Sequence, residues 1–158
     1  MKLNNILSDA SVMLGISEDD VTNQKILFRC ANLVVANVTG NYIDCVTTQD
    51  FNVTEGCINY DEFDKTFLKI VSVSCSYDLY MDHIAVRNGH VTVKYAYVPE
   101  FKSPDDVVAV MNPSTLLWGI LAEYACISGL VEEAKLYNDK FEKLLFASRP
   151  TGKSRRMP

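Results

Sequence analysis

The chain is poor in residues that carry chemistry. Its 158 residues include only two histidines and one tryptophan, and no Cys-x-x-Cys pair. His83 and His90 have no further ligands at close spacing, so a metal site is not expected. The glycines are scattered singly, which excludes a phosphate-cradling loop. The five cysteines, Cys30, Cys45, Cys57, Cys75 and Cys126, are odd in number and widely spaced. That usage reads as reduced thiols packed as small hydrophobes rather than a disulfide framework. No apolar run approaches the roughly 20 residues of a membrane span. The opening Met1-Lys2-Leu3-Asn4-Asn5, with Ser8 and Asp9 close behind, does not read as a secretory signal. The expectation is a chain assembled in a cytosol, where the sequons at Asn37 and Asn52 are chance matches. Asp61, Glu62 and Asp64 cluster beside Tyr60 and Phe63 but miss the EF-hand register, and read as a strand-end turn. No nucleophile with a base and an orienting group is legible. The sequence therefore predicts no catalytic residue, no cofactor and no metal.

What is present is an uneven charge and an ordinary apolar core. The net charge is -5 with 48% apolar residues, as expected of one soluble domain with at most an inserted subdomain. Residues 148–158 hold four cations, Arg149, Lys153, Arg155 and Arg156, and no acid. The other 147 residues hold 11 Lys and Arg against 20 Asp and Glu. An acidic body repels nucleic acid, and a basic arm seeks something acidic. Composition leaves two readings of that arm open: a charge-solubilised terminus, or a segment that orders on a partner.

Periodicity divides the chain into helical, β and helical regions. Leu3, Ile6, Leu7, Ala10 and Leu14 fall at helical spacing, with Gly15 as a C-terminal cap. Ser17 reads as the N-cap of a second helix, with Asp20 facing back toward it. That helix presents Val21, Leu27, Phe28, Ala31, Val34, Val35 and Val38 before Thr39-Gly40-Asn41 ends it. Asn112-Pro113-Ser114 starts a third helix, since proline's missing donor costs nothing there. Gly129 separates it from a fourth, Val131 to Ala147, whose outer side alternates acids and lysines. The short break makes the last two helices an antiparallel pair.

Between Tyr42 and Val98 the pattern is that of strands. Thr54-Glu55-Gly56 reads as a turn. Phe67 to Val73 predicts alternation, with Phe67, Lys69 and Val71 on one face and Leu68, Ile70 and Ser72 on the other. Asn88-Gly89, between Ile84-Ala85-Val86 and Val91-Thr92-Val93, predicts a two-residue hairpin that would bring His83 and His90 near each other. Tyr42, Tyr60, Tyr77, Tyr80, Tyr95 and Tyr97 are joined by only one cation, Lys94, in acidic surroundings, so they read as sheet packing or subunit contacts rather than base-stacking platforms. The expected fold class is α+β. Residues 1–41 and 112–147 form a small helical bundle, 42–111 an inserted antiparallel β subdomain with its loop, and 148–158 an extended basic C-terminal arm.

Four local pieces give the chain a family likeness. They are Gly56-Cys57-Ile58-Asn59-Tyr60-Asp61-Glu62-Phe63 with Ile70-Val71-Ser72-Val73; Val91-Thr92-Val93-Lys94-Tyr95-Ala96-Tyr97-Val98-Pro99; Trp118-Gly119-Ile120-Leu121-Ala122-Glu123-Tyr124 with Gly129-Leu130-Val131-Glu132-Glu133-Ala134; and Arg155-Arg156-Met157-Pro158. In order and spacing this set, over roughly residues 56–158, resembles bacteriophage head–tail connector proteins. These are the portal adaptors or head-completion proteins, including tail tubular protein A. The resemblance implies a structural virion protein at the head–tail junction, assembled in the host cytoplasm. It implies a homo-oligomeric ring, typically of twelve copies, under the portal protein. Such a ring would continue the DNA channel without sequence-specific binding and would offer a surface to the tail or the next connector protein. It makes Arg149, Lys153, Arg155, Arg156 and Met157 the expected contacts with the portal or a neighbouring subunit. No membrane is implied. A different class of function is a small DNA-binding regulator using the last helix pair and the basic tail. The alternating charge of the fourth helix argues against it, because a recognition helix is normally more basic.

Overall fold

The computed structural model describes residues 1–147. The fold is α+β: four helices and six antiparallel strands, divided between two compact units. One unit takes in residues 1–37 and the described residues from Glu100 onward. The other is Val38–Pro99.

In the helical unit, α1 (Leu3–Leu14) ends where Gly15 turns left-handed at φ 70°. Helix α2 (Val21–Val38) follows. Its N-cap is Asp20 rather than the expected Ser17: the Asp20 carboxylate accepts from the Asn23 N–H at 3.1 Å. Ser17 instead caps the preceding turn, accepting from the Asp19 N–H at 3.2 Å. A carboxylate offers the positive helix end more than a hydroxyl does. Helix α3 (Pro113–Ile127) begins as its sequence predicts, with Asn112 Oδ1 accepting from the Ser114 N–H at 2.8 Å. After Gly129, α4 (Val131–Ala147) packs alongside it.

Helix α3 is the centre of this unit. It buries Thr115, Leu116, Gly119, Ile120, Leu121, Ala122 and Ala125, more of its circumference than a surface helix would. Small residues allow this. At Gly119 an added Cβ would lie 2.7 Å from Val34 of α2 and 2.9 Å from Phe141 of α4, so three helices meet on a bare backbone. Tyr124 donates its hydroxyl to Asn23 Oδ1 at 3.1 Å, a second tie between α2 and α3. Helix α1 contributes Leu3, Ile6, Leu7 and Ala10 to the core.

Residues 100–111 belong to this unit, not to the β insertion to which their loop-like sequence assigned them. The reason is backbone pairing and burial. The Leu3 N–H donates to Asp106 O, Asn4 to Pro104 O, and Val108 to Met1 O, at 2.9, 2.7 and 2.9 Å. Phe101 and Val108 are buried.

The β unit holds β1 (Val46–Val53), β2 (Cys57–Asn59), β3 (Thr66–Val73), β4 (Asp78–Leu79), β5 (His83–Ala85) and β6 (Gly89–Val98). They form two three-stranded sheets, β1-β6-β3 and β2-β5-β4. Val53, Ile58, Phe63, Ile84, Val86, Val91, Val93 and Tyr95 make one core that draws on both. Tyr95 is fully buried, yet its hydroxyl has partners: it donates to Gln49 Oε1 at 3.2 Å and accepts from the Lys65 N–H at 3.3 Å. Gln49 also accepts from the Asp64 N–H and donates to Glu62 O, so one side chain pins residues 62–64 over the sheet.

Two sequence expectations fail here. Asn88-Gly89 is not a two-residue hairpin turn. Strand β5 pairs with β2 and β4, whereas β6 pairs with β1 and β3, so the chain changes sheets at this point. Gly89 does take a positive φ of 109°, but Asn88 does not. Asn88 instead uses its side chain, accepting from the Gly56 N–H at 2.7 Å. Nor does β3 alternate. Its more buried residues are Phe67, Ile70 and Val73, three apart, because register shifts between Phe67 and Lys69 and between Ile70 and Ser72 each insert an extra residue.

Candidate interaction surfaces

The cationic residues expected to contact a portal or a neighbouring subunit, Arg149, Lys153, Arg155 and Arg156, lie outside the described residues, as does Met157. What the described residues offer is exposed side chains on both units.

The two histidines are separated by the change of sheet. His83, on β5, faces Asn59 across β2, while His90, on β6, faces Asn52 across β1. His83 Nδ1 lies 2.6 Å from Asp82 Oδ1, and this contact holds the Asp82 carboxyl below its ordinary range. His90 Nε2 lies 3.6 Å from Asp50, whose Oδ1 also accepts from the Thr92 hydroxyl at 2.6 Å. His–Asp–Thr proximity alone is not a nucleophilic relay. The hydroxyl bonds directly to the carboxylate, and the imidazole does not stand between them. Among the described residues no three His, Cys, Asp or Glu side chains group as metal ligands. Glu62 of the acidic cluster caps its own turn, with Oε2 accepting from the Asn59 N–H at 2.6 Å.

The cysteines are unpaired. Cys30 is buried in α2, and burial, assisted by Glu123 and opposed by Arg29, pushes its thiol up to about 11. Burial, with Asp44 beside it, also raises Cys45. Such thiols stay protonated and weakly nucleophilic near neutral pH.

The tyrosines divide by place. Tyr95 is core, and Tyr60 and Tyr97 pack against it. Tyr77 and Tyr80 are exposed, together with Leu79 and Met81, in the turn around β4. Sequence reading left these two with sheet packing or subunit contacts. The clustering of four large apolar side chains within Tyr77-Asp78-Leu79-Tyr80-Met81 was the signal that could have singled the turn out. The helical unit has its own exposed apolar group at the α3–α4 turn: Ile127, Leu130 and Val131. No described helix is long and apolar enough to cross a membrane.

The Phe51–Glu62 cleft, about 280 Å³, is lined by strand and turn residues without a converging acid–base pair. Compared with known proteins, the chain matches no protein-family model and no curated sequence.

Proposed function

We propose that this chain is a structural subunit of a bacteriophage head–tail connector, a portal adaptor that acts by binding rather than by catalysis. In this reading, copies form a ring, of about twelve if the family resemblance holds, that docks under the portal protein in the virion. The ring continues the DNA channel and presents its other end to the tail or the next connector protein. The observation that carries the reading is architectural. Residues 1–37 and the described residues from Glu100 onward fold into one helical unit, and an antiparallel β unit is inserted between them. The connector family that the chain resembles is expected to share this arrangement, a helical bundle carrying a β subdomain. Exposed apolar groups on each unit supply the surfaces that a ring subunit needs. The acidic body suits a channel through which DNA must slide, because clustered cations would bind phosphates and hold it. Arg149, Lys153, Arg155, Arg156 and Met157 are the proposed contacts with the portal or a neighbouring subunit.

The DNA-binding regulator is the weaker reading. The exposed side of α4 mixes Glu132, Glu133, Asp139 and Glu142 with Lys135, Lys140 and Lys143, which is poor material for a phosphate-facing helix. Two binding experiments separate the readings. A connector subunit should co-migrate with purified cognate portal in size-exclusion chromatography and leave duplex DNA unshifted. A salt-sensitive gel shift at low micromolar protein, without portal retention, would favour the regulator instead.

A further inference from the structure

The β unit carries two exposed features that its own fold leaves unused. The first is the turn around β4, where Tyr77, Leu79, Tyr80 and Met81 are 40, 58, 53 and 100% exposed. The turn is fixed by its own bonds. The Tyr60 hydroxyl donates to Tyr80 O at 2.7 Å, and the Tyr80 N–H donates to His83 O at 2.9 Å. The Tyr80 ring stacks on the His83 imidazole, with centroids 4.8 Å apart. Asp78, within the apolar tip, and Asp82, just after it, are both exposed, and Asp82 also has His83 Nδ1 at 2.6 Å from one carboxylate oxygen. Two carboxylates at the rim repel anionic lipid and nucleic-acid phosphate. They favour a protein face that is apolar and cationic.

The second feature is such a face. On the side of β1-β6-β3 away from Val91, Val93 and Tyr95, one cross-strand row is Thr48, Lys94 and Ser72, and the next is Val46, Lys69 and, between them, the buried Ala96. Lys69 and Lys94 are therefore diagonal neighbours. Both are exposed, and among the described residues neither has an ion-pair partner. The bulge in β3 adds Val71, and Val46 is also exposed. Asp50, the acid on this face, is engaged by the Thr92 hydroxyl and by His90.

We propose that the Tyr77–Met81 tip of one copy docks on the outward face of β1-β6-β3 of a second copy. Asp78 and Asp82 then oppose Lys69 and Lys94, while Leu79 and Met81 cover Val71 and Val46. The inference rests on the ring reading and supplies its subunit contact. The two patches differ, so the contact is head-to-tail and propagates around a ring instead of closing as a two-fold pair. The patch is small, so a single contact is weak. Contacts add when a template holds the copies side by side.

Sedimentation equilibrium of the full chain, carried up to about 1 mM to reach weak association, tests this with two double variants. Leu79→Glu with Met81→Glu spoils the tip, and Val71→Glu with Lys94→Glu spoils the face. All four positions are exposed, and circular dichroism verifies that each variant is folded. The wild-type mass is expected to rise with concentration, while each variant alone stays monomeric. An equimolar mixture of the two variants should reach a dimer and stop, because it contains one sound tip and one sound face. A wild-type chain that is monomeric throughout, a variant that associates like wild type, or a mixture that stays monomeric would overturn the proposal. A monomeric wild type that the portal still retains removes this interface and leaves the connector reading standing. Self-association as described, without portal retention, does the reverse.

Discussion

Asn32 and Phe101 hold each other through a reciprocal pair of hydrogen bonds. The Asn32 amide nitrogen donates to Phe101 O at 3.2 Å, and the Phe101 N–H donates to Asn32 Oδ1 at 2.7 Å. One side chain on α2 thus satisfies both backbone groups of a residue whose ring is buried. This fixes where the chain re-enters the helical unit. Asn32→Ala leaves both groups unpaired and should cost about 2–3 kcal/mol. Asn32→Asp keeps the acceptor and should cost less. Urea unfolding of the two variants checks the order, and equal stability of Asn32→Ala and wild type would deny the clamp.

Gly119 makes a sharper demand. A methyl group there must displace Val34 and Phe141 together, from opposite neighbours. Gly119→Ala should gain helix propensity, normally about 1 kcal/mol, and still be destabilised by about 1–3 kcal/mol through overpacking. Thermal unfolding reads the sign. Gly129→Ala is a useful contrast: nothing lies within 4 Å of its added Cβ, and any loss there comes from φ at 75°.

Cys30 predicts a pH dependence. Its folded thiol ionises at about 11 against an ordinary 9.0, so the folded state disfavours the thiolate. The stability linked to this group is complete below pH 9 and drains away as pH rises from 9 toward 11. Cys45 shifts in the same direction. Cys30→Ala should flatten the decline in stability above pH 9. At pH 8 a thiol reagent should modify exposed Cys126 in the native protein and reach Cys30 only after unfolding.

Most features set by neighbours in sequence were legible from the residues themselves, although the cap of α2 fell on Asp20 instead of Ser17. Gly15 ends α1, Asn112 and Pro113 start α3, and Gly129 separates α3 from α4, because caps and breaks act over a few residues. Features set by distant partners were not. Ile84 and Val91 flank Asn88-Gly89 as a hairpin would, but each finds a different sheet, and that choice is made by β2 and β1. Leu68 and Val71 look like ordinary alternating positions, and only pairing with β6 shows where β3 bulges. The loop after Pro99 has the composition of a surface connection, yet it is stitched to the N-terminus and its Phe101 is buried. Of the candidate surfaces, Tyr77 and Tyr80 were visible as residues. Their clustering with Leu79 and Met81 is visible in the sequence too, but that this turn lies outside the core follows only from the fold.

Microscopy of the cognate portal tests the connector role most directly. Purified portal is incubated with the full chain, or with a chain truncated after Ala147, and imaged in negative stain. The full chain is expected to add a ring coaxial with the portal. The truncated chain should still be folded by circular dichroism but lose retention, because Arg149, Lys153, Arg155 and Arg156 are gone. A portal that emerges bare after incubation with the full chain would contradict the connector role.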